Sequence, residues 1–160
     1  MFLSSAKAEL VATEHWFYHL EGQGPQNALP PLLEKVLQRG WRAMVRSTDA
    51  ATLMALDKHL WTHRPDSFLP HGLSTEPRAE TQPILLTQSA DNENNAQIII
   101  LLHGAEMPAL DGVERCITMF DGADQNALAL ARERWKSARA EGAIASYWRQ
   151  DAQGRWSKQG

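Results

Sequence analysis

One indole and three cations recur at helical spacing towards the end of the chain, in the segment 126–142 (NALALARERWKSARAEG). A helix places these four side chains within an arc of about 100°; they are Arg132, Trp135, Lys136 and Arg139. Cations beside a flat apolar ring can bind an anionic group that adjoins an aromatic or aliphatic one. The alternative is that Trp135 packs on the edge of the core while the cations are only solvated, as on most basic helix faces.

A second group of candidate binding residues lies at the end of another predicted helix and in the loop after it. It consists of Leu60, Trp61, Phe68, Leu69, Pro70 and His71. Aromatic residues and proline in such places are frequent anchors of protein partners. In the alternative interpretation, Trp61 and Phe68 cap the core of their own domain.

Motifs for nucleotide binding and for hydrolysis are absent or incomplete. The loop 22–27 has Asn27 where a GxGxxG fingerprint needs its third glycine, and no GxxxxGK[ST] occurs. There is no GxSxG, and Cys116 lies within an apolar run, where a small buried thiol is expected. We therefore predict no bound nucleotide cofactor and no catalytic residue.

Two histidine pairs have the i,i+4 spacing of metal ligands on a helix. His15 and His19 fall in a predicted strand, where that spacing does not converge in the same way. The other pair, His59 and His63, lacks the usual glutamate, and nothing in the sequence brings further ligands such as Asp57 and His71 to it. Hydrogen-bonded or solvated histidines are the expected outcome, and no metal site is predicted.

Length and composition indicate one soluble globular domain that spans residues 1–160, with 1–13 as an uncertain extension. A net charge of -3 argues against a general nucleic-acid coat protein, which would be strongly basic. The single cysteine excludes an internal disulfide and fits a reducing compartment. No signal peptide is recognisable, and the longest apolar run, 98–102, is far too short to span a membrane. We expect a cytoplasmic protein that does not associate with a membrane.

The predicted elements alternate between strands and helices, which indicates βαβ units on a parallel sheet. Strands are predicted at 16–20, around 41–45, at 84–87, at 97–103 and at 115–120. The first predicted helix has Asn27 as its N-cap, Pro30 and Pro31 in its first turn, and Gly40 at its end. The second runs from Asp49 to Pro65, with Leu53, Leu56, Leu60 and Trp61 along one face. Gly142 ends the basic helix.

Three segments without helical periodicity complete the prediction. The turn-rich stretch 64–83 is long enough to suggest a functional loop, with Phe68 and Leu69 exposed. The polar stretch 89–96 is predicted as a solvent-facing turn. Residues 146–157 read as a hairpin with Trp148 and Trp156 on its arms. The fold class is therefore α/β: a single three-layer domain with a mostly parallel, mixed sheet, flanking helices and a C-terminal hairpin.

The two candidate surfaces also carry a family resemblance. The segments 56–73 (LDKHLWTHRPDSFLPHGL), 120–122 (FDG), 130–142 (LARERWKSARAEG) and 147–156 (YWRQDAQGRW) resemble the chi subunit of bacterial DNA polymerase III, as does the strand pair PILLT and IIILLHGAEMP. The resemblance extends from about residue 14 to residue 156. The ordered motifs L-W…SF-x-PH-x-L and AR-x-RWK-x-x-R-x-x-G are long enough to make chance similarity improbable.

The resemblance implies a non-catalytic accessory subunit of the clamp-loader complex. Such a subunit forms a heterodimer with the psi subunit, which tethers it to the loader, and binds the acidic, Phe-terminated tail of single-stranded DNA-binding protein (SSB). It reaches single-stranded DNA indirectly, through SSB. In some relatives a helicase-like repair protein uses the psi surface. Carried over by position, the tail-binding residues are Leu128, Arg132, Trp135, Lys136 and Arg139, and the psi-binding residues are Trp61, Phe68, Pro70 and His71.

Two departures from the family pattern bear on the tail site. Leu128 replaces a basic residue of some members, which weakens the cationic end of the site. The segment 121–124 (DGAD) is acidic enough to repel part of an acidic tail. The alternative function is direct binding of single-stranded nucleic acid by the helix 126–142, with Trp135 as the stacking platform.

Overall fold

The computed structural model of the chain describes residues 13–21, 24–62 and 68–160. The strands are β1 (Glu14–Leu20), β2 (Ala43–Arg46), β3 (His71–Leu73), β4 (Ile84–Thr87), β5 (Ile98–Leu101), β6 (Arg115–Asp121), β7 (Ala145–Gln150) and β8 (Trp156–Lys158). The helices are α1 (Pro25–Gln38), α2 (Ala50–Thr62) and α3 (Gln125–Ala140), with a 3-10 turn at Ala79–Thr81. The α/β architecture of the prediction is confirmed.

The eight strands form one sheet in the order β3-β4-β2-β5-β6-β1-β7-β8. All neighbouring pairs are parallel except β7 and β8, which form the predicted antiparallel hairpin. The turn of this hairpin is closed by a hydrogen bond of 2.9 Å from the Gly154 amide to the Asp151 carbonyl. β1 and β2, which are consecutive strands in the chain, are separated in the sheet by β6 and β5.

The helices cover the two faces of the sheet in three layers. Apolar side chains of α1 and α2 pack with one set of strand residues, among them Tyr18, Val45 and Ile100. On the opposite face, α3 packs through Ala131 on Phe17 and Phe120. β2, β4 and β5 are buried along their whole length, because both of their faces are covered.

The first helix begins earlier than predicted. Gly24 is its N-cap and Pro25 occupies its first turn, so Asn27 is not the cap. Pro25 fits there because the first amides of a helix have no intrahelical acceptor. Pro30 and Pro31 consequently lie inside the helix rather than in its first turn. The predicted end at Gly40 is confirmed by its φ of 76° and by the bond of 3.0 Å from its amide to the Leu37 carbonyl.

Two segments predicted as loops contain structure that the sequence pattern did not reveal. Within 64–83 the short strand β3 pairs with β4, and Leu69, predicted to be exposed, is only 2% exposed. Within 89–96, Asn94 is fully buried and its side-chain amide donates to the carbonyls of Ala43 and Gln82, at 3.1 and 2.9 Å. The predicted helix end at Pro65 and residues 1–12 of the uncertain extension 1–13 lie outside the described residues.

Candidate binding surfaces

The basic helix has well-defined caps at both ends. The Asp124 carboxylate accepts hydrogen bonds from the amides of Asn126 and Ala127, at 3.0 and 3.2 Å. At the other end, Gly142 has a φ of 75°, and the amides of Gly142 and Ala143 donate to the carbonyls of Arg139 and Ala138. This pattern is a Schellman motif. The helix therefore holds the side chains of its outer face in a defined register.

Trp135 packs on the edge of the core, as the alternative interpretation predicts. Its side chain also remains partly exposed, which a ligand-binding ring requires. Its ring meets Phe17 at 5.7 Å and Tyr147 at 5.8 Å between centroids, both edge-on. The buried residues of this helix are Ala131 and Ala138. Trp135 is thus held by other aromatic rings, Gly160 lies against one edge of its ring, and part of its surface stays exposed.

The three predicted cations of the stripe are exposed. The Arg139 guanidinium lies 5.3 Å from the Trp135 ring centroid, within cation–π range. Among the residues that the structure describes, no carboxylate forms a salt bridge with Arg132, Lys136 or Arg139. Their charges are therefore not neutralised by described residues of the chain. We refer to Arg132, Trp135, Lys136 and Arg139 as the basic stripe.

Arg134 of the same helix has a different role. Its guanidinium donates to the Ala105 carbonyl at 2.7 Å and approaches the Thr118 hydroxyl at 3.4 Å. Burial lowers the pKa of Arg134 from its usual value. Arg134 thus ties α3 to the loop after β5 and to β6 and is not part of the basic stripe.

A polar cluster supports the amino-terminal half of the stripe. The His19 Nδ1 and the Tyr147 hydroxyl are hydrogen-bonded at 2.9 Å. Burial lowers the pKa of His19, assisted by the positive charges of Arg149 and Arg132. Burial likewise raises the pKa of Tyr147, against the effect of Arg132 and Arg149. Near neutral pH both rings are uncharged, so the positive charge of this region belongs to the two arginines.

Leu128 and the acidic segment 121–124 both have structural roles. Leu128 is half-buried against the cluster of Phe17, Phe120 and Ala131. Asp124 in the acidic segment is engaged as the helix cap.

Gly122 leaves room for His19, because a Cβ there would lie 1.9 Å from the His19 Nε2. The glycine of FDG therefore allows close packing at the start of α3.

The second predicted group separates into exposed and buried residues. Trp61 and Phe68 are 54% and 68% exposed, with ring centroids 5.8 Å apart. Leu60 and Leu69 belong to the core, which excludes them from a binding surface. Of the four residues predicted along one face of α2, Leu53, Leu56 and Leu60 are buried, whereas Trp61 is exposed.

His71 lies beneath this surface, in contact with Trp61. Its side chain is fully buried, with the ring 4.6 Å from that of Trp61. Nδ1 faces the Leu69 carbonyl at 2.6 Å and Nε2 faces the Asp57 carboxylate at 3.1 Å. Pro70 is partly exposed beside it. His71 is therefore buried against the inner side of Trp61, and its predicted part in psi binding stays a prediction.

Sequence reasoning missed Met54, which is 65% exposed on α2. Met54 and Trp61 are seven residues apart, a spacing that puts them on the same side of a helix. This spacing is a signal that could have identified the residue. We refer to Met54, Trp61 and Phe68 as the apolar patch.

The sequence predicts no metal site, no reactive cysteine and no membrane span. His71 and Asp57 do meet, while His63 lies outside the described residues. No group of three or more metal-ligating side chains occurs within 13–21, 24–62 and 68–160. Cys116 is buried in an apolar cluster, and burial raises the pKa of its thiol to about 12. No helix in the described part of the chain is long and apolar enough to cross a membrane.

Comparisons with known proteins identify relatives of this chain. A family model described as "DNA polymerase III chi subunit, HolC" matches residues 12–146. A protein of Rickettsia prowazekii (strain Madrid E), named "Probable DNA polymerase III subunit chi", is 28% identical over 103 residues, which are 64% of this chain and 62% of the relative. "DNA polymerase III subunit chi" of Haemophilus influenzae (strain ATCC 51907 / DSM 11121 / KW20 / Rd) is 24% identical over 111 residues, 69% of this chain and 77% of the relative. The alignment thus spans less than two thirds of the Rickettsia protein.

Proposed function

The chain belongs to the DNA polymerase III chi subunit family, and on this premise we propose that it is a non-catalytic accessory subunit that connects the clamp loader to SSB. One observation carries the proposal: three exposed cations flank the partly exposed Trp135 without a carboxylate partner among the described residues. An acidic tail with a C-terminal aromatic residue has the complementary chemistry. Arginine side chains bind its carboxylates, and the indole gives its ring an apolar surface.

The tail site consists of the basic stripe with Leu128 at its edge. Arg132 and Arg139 are seven residues apart, so they lie along the same side of α3 and can bind successive carboxylates. Because these cations are exposed, water and salt reduce the strength of each contact. A single tail is therefore expected to bind at about micromolar affinity, and the several tails on SSB-coated DNA raise the effective concentration.

The tail site is tested by substituting Arg132 with alanine. We expect Arg132→Ala to weaken the binding of an acidic, Phe-terminated peptide by about 1–3 kcal/mol in an isothermal titration, because a charge-assisted hydrogen bond is lost. Lys58→Ala is the matched control, since Lys58 is an exposed cation on α2, on the other face of the sheet. The same peptide without its terminal Phe should bind wild type more weakly. Equal affinity of wild type and Arg132→Ala would refute the site.

The apolar patch is the proposed psi-binding surface, with Pro70 beside it and His71 beneath Trp61. Exposed tryptophan and phenylalanine side chains at this packing distance are typical anchors of a protein interface. The patch adjoins β3 at one edge of the sheet, whereas α3 covers the opposite face near β1, β6 and β7. Psi and an SSB tail can therefore bind at the same time. The helicase-like repair protein of some relatives would compete with psi for the patch.

Single substitutions test the patch independently of the tail site. Trp61→Ala and Phe68→Ala should each lower the amount of psi that co-purifies with the chain by more than tenfold, because truncation of an interface anchor costs about 2 kcal/mol or more. Both variants should keep their affinity for the tail peptide. Ile144→Ala, which truncates an apolar side chain that is 58% exposed elsewhere, is the control. Psi recovered at the wild-type ratio with both variants would contradict the assignment.

The proposed setting is the bacterial cytoplasm, where the replication machinery acts on DNA. The buried, unpaired Cys116 is compatible with a reducing compartment. In this arrangement the chain contacts single-stranded DNA through SSB, and no membrane is involved.

A further inference from the structure

A cavity of about 590 Å³ lies between α1 and the C-terminal hairpin. Its volume is within the usual range for small-molecule sites, about 300–1,000 Å³. Its aromatic lining consists of Trp16, Tyr18, Trp41, Trp148 and Trp156. These residues line the sheet face that carries α1 and α2, so the cavity is separate from the basic stripe on α3.

Planar cations and indoles alternate along one wall of this cavity. The Arg39 guanidinium lies 3.8 Å from the Trp41 ring centroid. Arg115 lies between two indoles, 3.9 Å from Trp16 and 5.5 Å from Trp41. Trp16 in turn stacks on Trp148, with centroids 5.6 Å apart. The rings are thus held in place, and a ligand that binds them does not have to order them.

Three polar atoms on the lining residues are buried without a hydrogen-bond partner among the described residues: Arg115 Nε, Trp148 Nε1 and Gln150 Oε1. Gln150 is only 6% exposed, and its amide nitrogen donates to the Gly154 carbonyl at 3.2 Å. Native proteins rarely leave buried polar atoms unpaired. These three atoms have almost no accessible surface, so they lie beneath the cavity wall and are not open to a ligand.

The charge of the cavity favours an anion. Lys35, Arg39 and Arg115 line it, and none of the described lining residues is acidic. A nearby carboxylate, that of Glu14, accepts a hydrogen bond of 2.9 Å from the Trp16 indole. Burial raises the pKa of Tyr18 to about 12, so its phenol is uncharged and does not repel an anion.

We propose that this cavity binds a nucleotide, either free or as one unit of a single strand, with the base against the indoles and the phosphate near Lys35 and Arg39. Aromatic stacking combined with cations along the backbone is the general basis of single-strand binding. A nucleotide joins one planar aromatic group to one phosphate, which matches a wall of indoles beside Lys35 and Arg39.

Fluorescence anisotropy on the full chain at low salt tests the proposal. The probe is a fluorescein-labelled single-stranded DNA of about 12 nucleotides, within the length range of such sites. Trp156→Ala should weaken binding about tenfold through loss of stacking, and the double variant Lys35→Ala, Arg39→Ala should do so through loss of charge. Lys35 and Arg39 are exposed, and thermal unfolding of the double variant, which loses the contact of Arg39 with Trp41, shows whether it keeps the wild-type fold.

Controls on the other surfaces assign the binding to the cavity. Lys58→Ala and Arg132→Ala should leave the affinity for the oligonucleotide unchanged, and the cavity variants should leave binding of the tail peptide unchanged. Displacement of the oligonucleotide by dCMP, with tighter binding of longer strands, indicates a strand site. Equal affinity for dCMP and the oligonucleotide indicates a site for free nucleotides.

Three results would overturn the proposal. One is the absence of oligonucleotide and dCMP binding to the wild-type chain. Another is a loss of binding in Arg132→Ala but not in the cavity variants, which would place nucleic-acid binding on α3. The third is displacement of the oligonucleotide by a Phe-terminated peptide whose own binding requires Lys35 and Arg39, which would make the cavity a peptide site.

Discussion

Substitution of Gly122 by alanine should destabilise the fold through one steric contact. Gly122 follows β6 and precedes the cap of α3. An added Cβ would lie 1.9, 2.4 and 2.8 Å from the Nε2, Cδ2 and Cε1 atoms of His19. Separations this short cannot persist, so either the His19 ring or the backbone at Gly122 must move.

The cost of this movement can be assessed from the surroundings of His19. The ring is only 8% exposed and packs 5.1 Å from Phe120 and 6.0 Å from Tyr147. Overpacking of such a site costs about 1–3 kcal/mol. Loss of the 2.9 Å hydrogen bond to the Tyr147 hydroxyl adds about 0.5–1.5 kcal/mol. We therefore expect Gly122→Ala to lower the free energy of unfolding by about 2–4 kcal/mol.

Urea unfolding of four proteins tests this reasoning as a double-mutant cycle. The proteins are wild type, Gly122→Ala, His19→Ala and the double variant. Because removal of the His19 ring also removes the clash, the double variant should be less destabilised than the sum of the two single variants. Additive effects, or a Gly122→Ala protein within about 0.5 kcal/mol of wild type, would refute the steric explanation.

The remaining predictions concern pH and helix capping. Burial lowers the pKa of His15 and His19 below the ordinary 6.5, so the unfolded chain binds more protons in mildly acidic solution and the free energy of unfolding should fall from about pH 7 to about pH 5. His15→Gln with His19→Gln should flatten this dependence in urea titrations, and an unchanged slope would contradict it. Asp124→Ala should cost about 1 kcal/mol in urea unfolding, because two helix amides lose their acceptor; the exposed Asp111→Ala is the control, and equal midpoints for the two variants would count against the cap.

Local sequence patterns predicted an element correctly where a single pattern, such as helical periodicity or an apolar run, extends over the whole segment. Helical periodicity and Gly142 located α3, and the continuous apolar run 98–102 lies within the predicted strand that is β5 in the structure. The order of the strands is a different matter, since β1 and β2 are consecutive in the chain but do not pair. β3 has the sequence HGL, which is too short to show an alternating pattern. It is a strand because its backbone pairs with β4, a contact that the local sequence does not indicate.

The candidate sites were likewise predictable where their residues lie in one element, and not where strand pairing brings distant residues together. The basic stripe comes from one helix, so its spacing could be read directly from the sequence. Its support by Phe17 and Tyr147 depends on the pairing of β1 with β7, which local patterns do not encode. The aromatic cavity was missed for this reason, because its tryptophans come from segments up to 140 residues apart, from Trp16 to Trp156.

Strands β1 and β7 pair in parallel and contribute neighbouring residues to opposite faces of the sheet. Phe17 and Tyr147 support Trp135 on one face, while Trp16 and Trp148 line the cavity on the other. Side chains alternate along a strand, so a shift of β7 by one residue, as after a deletion, would exchange the faces of its side chains. The Tyr147 phenol would then turn towards α1 and the Trp148 indole towards α3. Point substitutions can therefore alter one surface at a time during evolution, whereas a change in the length of either strand would alter both at once.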